Sequence, residues 1–275
     1  QATVKTVGSF ASGTQKIGDN VDITIWFSES ITVSGTPRLQ LETGDSDAYA
    51  TYRSGSGSQF LTFRYTVSEG ESSSDLAYTS TTALANNGGS SMLGSGDTPA
   101  TLTLPAVGAS GSLSGDYTVV VDGIKPTMTI TASQGSDGFS SDDSTLSLTF
   151  TSSETTTNFV EADVTLGNGT LSSFSGSGKT YTATFTPSAE GASTIDVGAA
   201  KFTDAAGNSN SAATQFNWTY DSSDPTLSSV AAVDGTYKVG QNIDITVTWS
   251  EAVSKSGTPT LTLSNGATAT FISGD

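Results

Sequence analysis

Seven residues with oxygen-bearing side chains occupy matched places along the chain and could bind a divalent cation. They are Asp122, Glu154, Asp204, Asn208, Asp221, Asp224 and Glu251. The spacings are similar, 154 − 122 = 32 residues in one set and 251 − 221 = 30 in the other. Carboxylates combined with amide or carbonyl oxygens are the ligands that Ca²⁺ takes in proteins. The pattern predicts one calcium site that includes Asp204 and Asn208, and a second of Asp221, Asp224 and Glu251.

A role in turns is the alternative for these residues. Asp and Asn side chains often accept hydrogen bonds from backbone N–H groups two residues further on, and so favour turns. Asp204 and Asn208 would then be turn residues. The two aspartates that precede prolines would stabilise turns in the same way, and the glutamates would be solvated. The sequence leaves both interpretations open.

A long internal repeat indicates how these residues are distributed. Residues 15–41 recur without a gap at 237–263, an offset of 237 − 15 = 222 residues, with about half of the positions identical. Copies of this kind are typical of modules arranged in series, each with its own small core. Serial modules usually set length, spacing or multivalent contact. We therefore expect a slice of a repeating array in an extracellular structural or adhesive protein.

Alternating apolar residues predict strands rather than helices. Apolar and polar side chains alternate through residues 21–27 and 243–249, and again through 146–150 and 181–185. Such alternation places one face of a strand in a core and the other in solvent. Asn168-Gly169 is typical of a hairpin turn. Several short strands separated by turns predict an all-β fold of β-sandwiches.

Two aspartate–proline motifs predict the module boundaries. Pro126-Thr127 follows Asp122, and Pro225-Thr226 follows Asp221, at the same distance of four residues. Proline fixes its own φ and biases the preceding residue toward extended geometry, so these links should be short and stiff. The predicted modules are residues 1–122, residues 123–221 and a truncated repeat of the first at 222–275. The middle one spans 225 − 126 = 99 residues, close to the ~100 of an immunoglobulin-like sandwich.

This topology would bring the acidic residues to one end of each sandwich. The pairs Ser28-Glu29, Ser153-Glu154 and Ser250-Glu251 each follow the second predicted strand of their module. A carboxylate from the joint and one from this first loop would meet at the same pole. The loop from Asp204 to Asn208 should lie there too if it joins the last two strands. Bound calcium would stiffen the joints, with the dissociation constants on the order of 10⁻⁴ to 10⁻³ M of extracellular modules.

The motifs of the middle module resemble a known family. Phe-Thr-Asp-Ala-Ala-Gly-Asn at 202–208, together with the joint motif Asp-x-x-x-Pro-Thr, is similar to the Big-type bacterial Ig-like domains of large exported adhesins and surface proteins. The flanking modules look like a companion Ig-like repeat from the same class of proteins. The resemblance implies tandem immunoglobulin-like β-sandwiches, a location outside the cell or at its surface, and acidic joints that often bind Ca²⁺.

The composition argues against several classes of partner and chemistry. The 27 acidic and 10 basic residues give a formal net charge of −17, which repels nucleic acid and anionic membrane surfaces. This charge favours cations as partners or a self-repelling rod, with halophilic adaptation as the alternative. Because the chain has no cysteine and no histidine, it lacks disulfides and the usual thiol nucleophile and general base. No apolar run approaches the ~20 residues of a membrane span, so we expect no membrane insertion.

Aromatic and amide side chains supply the remaining candidates. Trp26 lies on the opposite face of its strand from Phe27 and is the best candidate for a contact surface, toward a neighbouring module, a subunit or carbohydrate. Trp249 aligns with Phe27 and is expected in a core. Asn168 and Asn217 begin Asn-x-Thr sequons and are candidate glycosylation sites.

These observations favour a structural function over catalysis. The acidic pairs at 142–143 and at 45 and 47 could in principle serve a glycosidase, but charged loops are commonly just solvated, and we expect no enzyme. We expect a spacer segment of a long extracellular repeat protein, an adhesin stalk or surface filament, with calcium-stiffened joints. Its partners would be neighbouring modules of the same chain. The alternatives are a carbohydrate- or surface-binding module, and a subunit that packs with identical subunits in a filament or surface layer.

Overall fold

The computed structural model describes residues 1–11 and 13–274, and strands dominate it. One short α-helix and two 3-10 turns are the helical elements within these residues. None of the described helices combines the length and apolar character needed to cross a membrane. The prediction of an all-β fold is confirmed.

The chain up to Asp122 folds around one large sheet. In chain order its strands are β1 (Val4–Ser9), β2 (Thr14–Lys16), β3 (Asn20–Ser34), β4 (Arg38–Glu42), β5 (Ala48–Ser54), β6 (Ser58–Thr66), β7 (Ser72–Ser73), β8 (Ala77–Tyr78), β9 (Leu84–Ala85), β10 (Ser91–Leu93) and β11 (Val120–Asp122). A 3-10 turn covers Ser95–Asp97, and helix α1 covers Leu113–Asp116. The large sheet has the order β1-β3-β6-β5-β4-β8, with β9 beside β4 and β10 beside β3.

The core of this first module lies on one face of the large sheet. The apolar residues of β3 that alternate from Val21 to Phe27 are fully buried, as the sequence pattern predicts. A small sheet of order β2-β11-β7 and the segment around α1 contribute Val121, Leu113 and Val119 to the same hydrophobic cluster. The module is therefore a large sheet covered by a small sheet and irregular chain.

The middle module is a sandwich of two sheets. Its strands are β12 (Met128–Ala132), β13 (Phe139–Ser141), β14 (Leu146–Thr156), β15 (Val164–Gly167), β16 (Gly169–Pro187), β17 (Gly191–Val197) and β18 (Phe216–Tyr220), with a 3-10 turn at Glu161–Asp163. One sheet has the order β12-β14-β16 and the other β13-β18-β17-β15. Both sheets bury apolar side chains in a second hydrophobic cluster, separate from that of the first module.

The predicted hairpin at Asn168-Gly169 is wrong. These residues connect β15 to β16, but β15 pairs with β17 and β16 pairs with β14, so the connection crosses from one sheet to the other. Asn168 has a φ of 56°, which asparagine tolerates better than most residues. The sequence therefore indicated the left-handed turn at Asn168. It did not indicate which strands pair with β15 and β16.

Residues 222–274 form two separate hairpins. They consist of β19 (Leu227–Ala232) with β20 (Ile245–Trp249), and of β21 (Thr260–Thr262) with β22 (Thr268–Thr270). Trp249 is 42% exposed, so its predicted place in a core is wrong for this structure. Its counterpart Phe27 is buried because the covering segments of the first module lie against it, and the described part of residues 222–274 has no such cover. The predicted unit 222–275 ends at Asp275, which lies outside the described residues.

Candidate metal centre

The side chains of Asp122, Glu154 and Asp204 lie together where the first module meets the second. Asp122 ends β11, Glu154 lies near the end of β14, and Asp204 lies in the loop between β17 and β18. One carboxylate oxygen from each lies within 4.8 Å of the other two. Asp204 is only 6% exposed, and the other two are half-buried. No other such acidic group of three occurs within residues 1–11 and 13–274.

The negative charges of three neighbouring carboxylates favour the binding of a cation. We call these residues, Asp122, Glu154 and Asp204, the acidic triad. Burial raises the pKa of the Glu154 carboxyl, and the neighbouring carboxylates of Asp122 and Asp204 raise it further. The Lys179 ammonium opposes these effects, and it also donates to the Ser153 carbonyl oxygen at 2.7 Å. Like charges this close disfavour the ionised state of each other. A bound cation would relieve that repulsion.

Glu154 reaches the triad from within a strand rather than from a loop, so the prediction of a first inter-strand loop is wrong here. Its strand β14 continues to Thr156, but the pairing with β16 is interrupted between Thr151 and Thr156. Glu29 lies in a similar interruption of β3 against β6. Such irregularities re-aim side chains locally. The sequence spacing therefore located Glu154 at the correct pole for a different structural reason.

The loop that carries Asp204 is organised by that side chain. Asp204 Oδ1 accepts hydrogen bonds from the backbone N–H groups of Gly207 and Asn208 at 2.7 and 2.8 Å. Its Oδ2 accepts from Asn208 Nδ2 at 2.9 Å. Gly207 has a φ of +95°, a conformation that side-chain-bearing residues rarely adopt. The turn interpretation of Asp204 is thus correct, and the same hydrogen bonds fix the position of its carboxylate.

Asn208 spans the joint between the two modules. Its Nδ2 also donates to the Asp122 backbone oxygen at 2.8 Å, and its Oδ1 accepts from the Ile17 N–H at 2.9 Å. The side chain is 3% exposed. The amide nitrogen of Asn208 faces the Asp204 carboxylate, and its oxygen faces the Ile17 N–H. Because no side-chain oxygen of Asn208 faces the acidic triad, Asn208 is not among the ligands that this geometry offers. It positions the acidic triad instead.

A serine–threonine pair repeats at the start of each unit and was not anticipated from the sequence. Thr127 N–H donates to Ser153 Oγ at 2.9 Å, and Ser153 N–H donates back to the Thr127 oxygen at 3.0 Å. The same two bonds join Thr3 with Ser28 and Thr226 with Ser250. The signal was present in the sequence as a Thr near the start of each unit and a Ser that precedes each Glu. These pairs hold each glutamate close to the incoming chain.

Hydrogen bonds from the first module hold the link itself. Gly123 N–H donates to the Glu71 oxygen at 2.7 Å, and its own oxygen accepts from Gly70 N–H at 2.8 Å. A Cβ at Gly123 would lie 2.3 Å from the Ser68 oxygen, so only glycine fits without a shift. Lys125 Nζ lies 2.6 Å from Glu69 Oε2. The joint is braced by these contacts in addition to the proline that the sequence singled out.

The second predicted site is not assembled among the described residues. Asp221 Oδ1 accepts from Ser223 N–H at 3.3 Å, just as Asp122 Oδ1 accepts from Ile124 N–H at 3.2 Å. Both joint aspartates therefore form the turn that was the alternative interpretation. Asp224 is exposed and Glu251 half-buried, and neither belongs to a group of three acidic ligands. Residues 222–274 contain no counterpart of the Asp204 loop, which supplies the third carboxylate at the first joint.

The remaining candidates occupy varied places. Trp26 is 40% exposed and lies against Phe60, whereas Trp218 is buried at 1% exposure. Asn168 Nδ2 donates to the Ala189 oxygen at 2.9 Å. Asn217 Nδ2 donates to Asp137 Oδ1 at 3.1 Å. Both amides thus make structural contacts, and glycosylation at either stays a prediction.

The donor set of the acidic triad suits a hard divalent cation. Ca²⁺ takes six to eight oxygen ligands and accepts flexible geometry, so three carboxylates could be completed by carbonyl oxygens and water. The turn at Asp122 uses only Oδ1, which leaves its other oxygen for a cation. Softer metals prefer imidazole or thiolate ligands, and the chain has neither histidine nor cysteine.

Comparison with known proteins identifies the middle module. Residues 122–220 match the sequence model of a family described as a bacterial Ig-like domain. The matched range differs by one residue at each end from the predicted module 123–221. A search of curated proteins found no match to the chain. The match agrees with the two-sheet architecture and with the resemblance drawn from the motifs, so this segment is similar to bacterial Ig-like domains.

Proposed function

We propose that the chain is a structural spacer segment of a long extracellular repeat protein, and that Ca²⁺ stiffens the joint between its first two modules. A bacterial Ig-like domain suggests a module of a bacterial surface protein, and domains of this kind are typically non-enzymatic. The observation that carries the calcium proposal is the meeting of three carboxylates within 4.8 Å at the joint.

The origin of the three carboxylates explains how an ion would act. Asp122 ends a strand that is hydrogen-bonded into the small sheet of the first module, while Glu154 and Asp204 belong to the second module. An ion bound by all three would tie the two modules together. Without it, the repulsion between these carboxylates opposes the closed joint. A ligand that binds only the closed arrangement shifts the equilibrium toward it.

Calorimetric unfolding of the full chain tests this proposal. With a dissociation constant on the order of 10⁻⁴ M, 10 mM Ca²⁺ is about 100 times that constant and should stabilise the joined modules by about 2.7 kcal/mol relative to chelator. Asp204→Asn should abolish most of this stabilisation. Asp45→Asn, which removes an equal charge from an exposed loop, should leave it unchanged.

Small-angle X-ray scattering of the same proteins reports the consequence for shape. Calcium should give the parent chain a narrower range of particle dimensions than chelator does, and Asp204→Asn should behave as the parent in chelator. The calcium proposal fails if the parent shows no calcium-dependent stabilisation, or if Asp204→Asn responds to calcium as the parent does. Stabilisation without any change in scattering would retain the site and reject the stiffening.

A further inference from the structure

A single residue faces the strand interruption that carries the glutamate in each of the first two modules. Residues 152–155 of β14 lie between two pairs of the ladder and have only Lys179 of β16 opposite them. Residues 27–30 of β3 have only Gln59 of β6 opposite them in the same way. In both segments the second residue is serine and the third is glutamate. Lys179 and Gln59 therefore occupy equivalent positions in the two modules.

The side chains of Lys179 and Gln59 make the same hydrogen bond. Lys179 Nζ donates to the Ser153 backbone oxygen at 2.7 Å, and Gln59 Nε2 donates to the Ser28 backbone oxygen at 3.0 Å. Each bond supplies a partner to a carbonyl group where the regular ladder is interrupted. Because the neutral amide of Gln59 is sufficient for this bond, the structural task does not require a charge at position 179.

The two positions differ in the charge that surrounds them. Glu154 belongs to the acidic triad, whereas Glu29 belongs to no group of three acidic ligands in the part of the chain that the structure describes. The positive side chain thus occurs at the pole where carboxylates gather, and the neutral one at the other. The Lys179 ammonium also opposes the rise in the pKa of the Glu154 carboxyl that burial and the other two carboxylates cause.

Two other lysines near the joint are paired with carboxylates outside the acidic triad. Lys16 Nζ lies 3.9 Å from Asp19 Oδ1, and Lys125 Nζ lies 2.6 Å from Glu69 Oε2. Their charges are therefore partly offset by these partners. Lys179 is the lysine of the joint whose charge acts on the triad.

We propose that Lys179 is an internal cation of the acidic triad, which partly offsets the charge of the triad when no metal is bound and raises the calcium concentration that the joint needs to close. This inference rests on the calcium site proposed above. A divalent ion at the triad meets the repulsion of the ammonium as well as the attraction of the carboxylates. Because Lys179 is exposed, its charge acts through a high dielectric, where one unit charge several ångströms away changes an affinity only a few-fold. Lys179 therefore shifts the threshold for calcium without abolishing binding.

Isothermal titration of the full chain with calcium chloride tests the effect on affinity. Lys179→Gln introduces the residue that makes the same hydrogen bond in the first module, and it should tighten calcium binding about threefold. Lys179→Arg keeps both the charge and a donor, so it should bind calcium as the parent does. As a control, Lys238→Gln removes an equal charge from an exposed position outside the first two modules, and it should leave the affinity unchanged.

Thermal unfolding in EGTA gives a second measurement that does not depend on calcium. Loss of the ammonium increases the repulsion among the three carboxylates, so Lys179→Gln should unfold about 2 °C below the parent at low ionic strength. In 0.5 M NaCl, charges are screened beyond roughly 4 Å, and this difference should largely disappear. A difference caused by lost packing or by a lost hydrogen bond would persist in salt.

The outcomes separate this inference from the calcium proposal. If the parent binds calcium and Lys179→Gln binds it equally or more weakly, the inference is rejected while the site stands. If neither protein binds calcium, the site and the threshold role are both rejected, and a salt-dependent loss of stability in EGTA would keep Lys179 as the internal cation of an ion-free joint. A loss of stability that persists in 0.5 M NaCl would show that Lys179 acts through its hydrogen bond instead of its charge.

Discussion

At the scale of single residues, Asn208 is the side chain on which the joint most depends. Its amide nitrogen bonds to the Asp122 backbone oxygen, and its oxygen bonds to the Ile17 N–H. Asn208→Ala leaves these groups without partners in a poorly hydrated place, which costs about 1–3 kcal/mol. We expect the variant to lower the free energy of unfolding by that amount in urea titrations.

An exposed asparagine provides the matched comparison for this prediction. Asn86 is exposed and makes no side-chain contact of the kind that Asn208 makes, so Asn86→Ala should stay within about 0.5 kcal/mol of the parent. Equal stability of the Asn208 variant and the parent would mean that the joint does not use this bridge.

Glu154 should make the ion-free joint more stable as the pH falls. Its pKa is raised above the ordinary 4.5, first by burial and then by Asp122 and Asp204, so the folded state binds this proton more tightly than the unfolded state. The linked free energy of unfolding therefore decreases as the pH rises from 4.5 through the raised pKa. In chelator, Glu154→Gln should remove this dependence and unfold at a higher temperature than the parent at pH 7.

Calcium should reverse the relative stability of the parent and Glu154→Gln. The glutamine cannot contribute a charged ligand, so the parent should be the more stable protein at pH 7 in 10 mM Ca²⁺. Unfolding temperatures from pH 4.5 to 7.5, with calcium and with chelator, measure both effects. A variant less stable than the parent in chelator would show that the Glu154 charge is already compensated within the protein.

Among the elements, strand interiors were predictable and strand partners were not. Alternation of apolar residues identified β3, β14 and β20, because alternate side chains of a half-buried strand face one core. The partners depend on residues far away in the sequence, as the crossing between β15 and β16 at Asn168-Gly169 illustrates. Two members of the acidic triad, Asp122 and Glu154, were predictable for a different reason, since similar spacings of 32 and 30 residues recur in two units.

At the joint, the sequence could not predict the contacts that form only when distant residues fold together. The Asn208 bridge joins Ile17 to a residue 191 positions away, and no local pattern encodes such a pairing. The prediction that Trp249 is buried failed for another reason. Its alignment with Phe27 was correct, but burial depends on the segments that cover a sheet as well as on the strand itself.

The link between the modules should depend on the absence of a side chain at Gly123. A Cβ there would lie 2.3 Å from the Ser68 oxygen and 2.7 Å from the Glu71 oxygen, both of which belong to the backbone. Gly123→Ala must therefore displace the link, and we expect a loss of about 1–3 kcal/mol, the usual cost of forced overpacking. Denaturant titration measures this loss.

Gly198 provides a control that separates steric crowding at Gly123 from any general effect of replacing glycine with alanine. A Cβ at Gly198 would meet only Lys201 Cε, at 3.7 Å, so Gly198→Ala should be close to neutral. Scattering by the Gly123 variant should also show a wider range of particle dimensions than that of the parent. Parent-like stability and scattering would show that the link can shift without consequence.

At the scale of the whole molecule, charge is unevenly distributed. The net charge of −17 makes the protein repel its own copies, and three of its carboxylates gather at one joint. The total charge follows directly from the amino-acid composition. This local concentration of charge became visible only when the fold placed distant residues side by side.

The parallel pairing of short strands near the two ends of each module has a mechanical consequence. In the first module β2 runs parallel to β11, and in the middle module β13 runs parallel to β18. One strand of each pair follows soon after the chain enters the module, and the other lies just before it leaves. Tension applied to the chain therefore pulls the two strands in opposite directions along their common axis. Their hydrogen bonds are loaded together in shear instead of one after another, as they would be in unzipping, which is the more resistant geometry for a protein held taut.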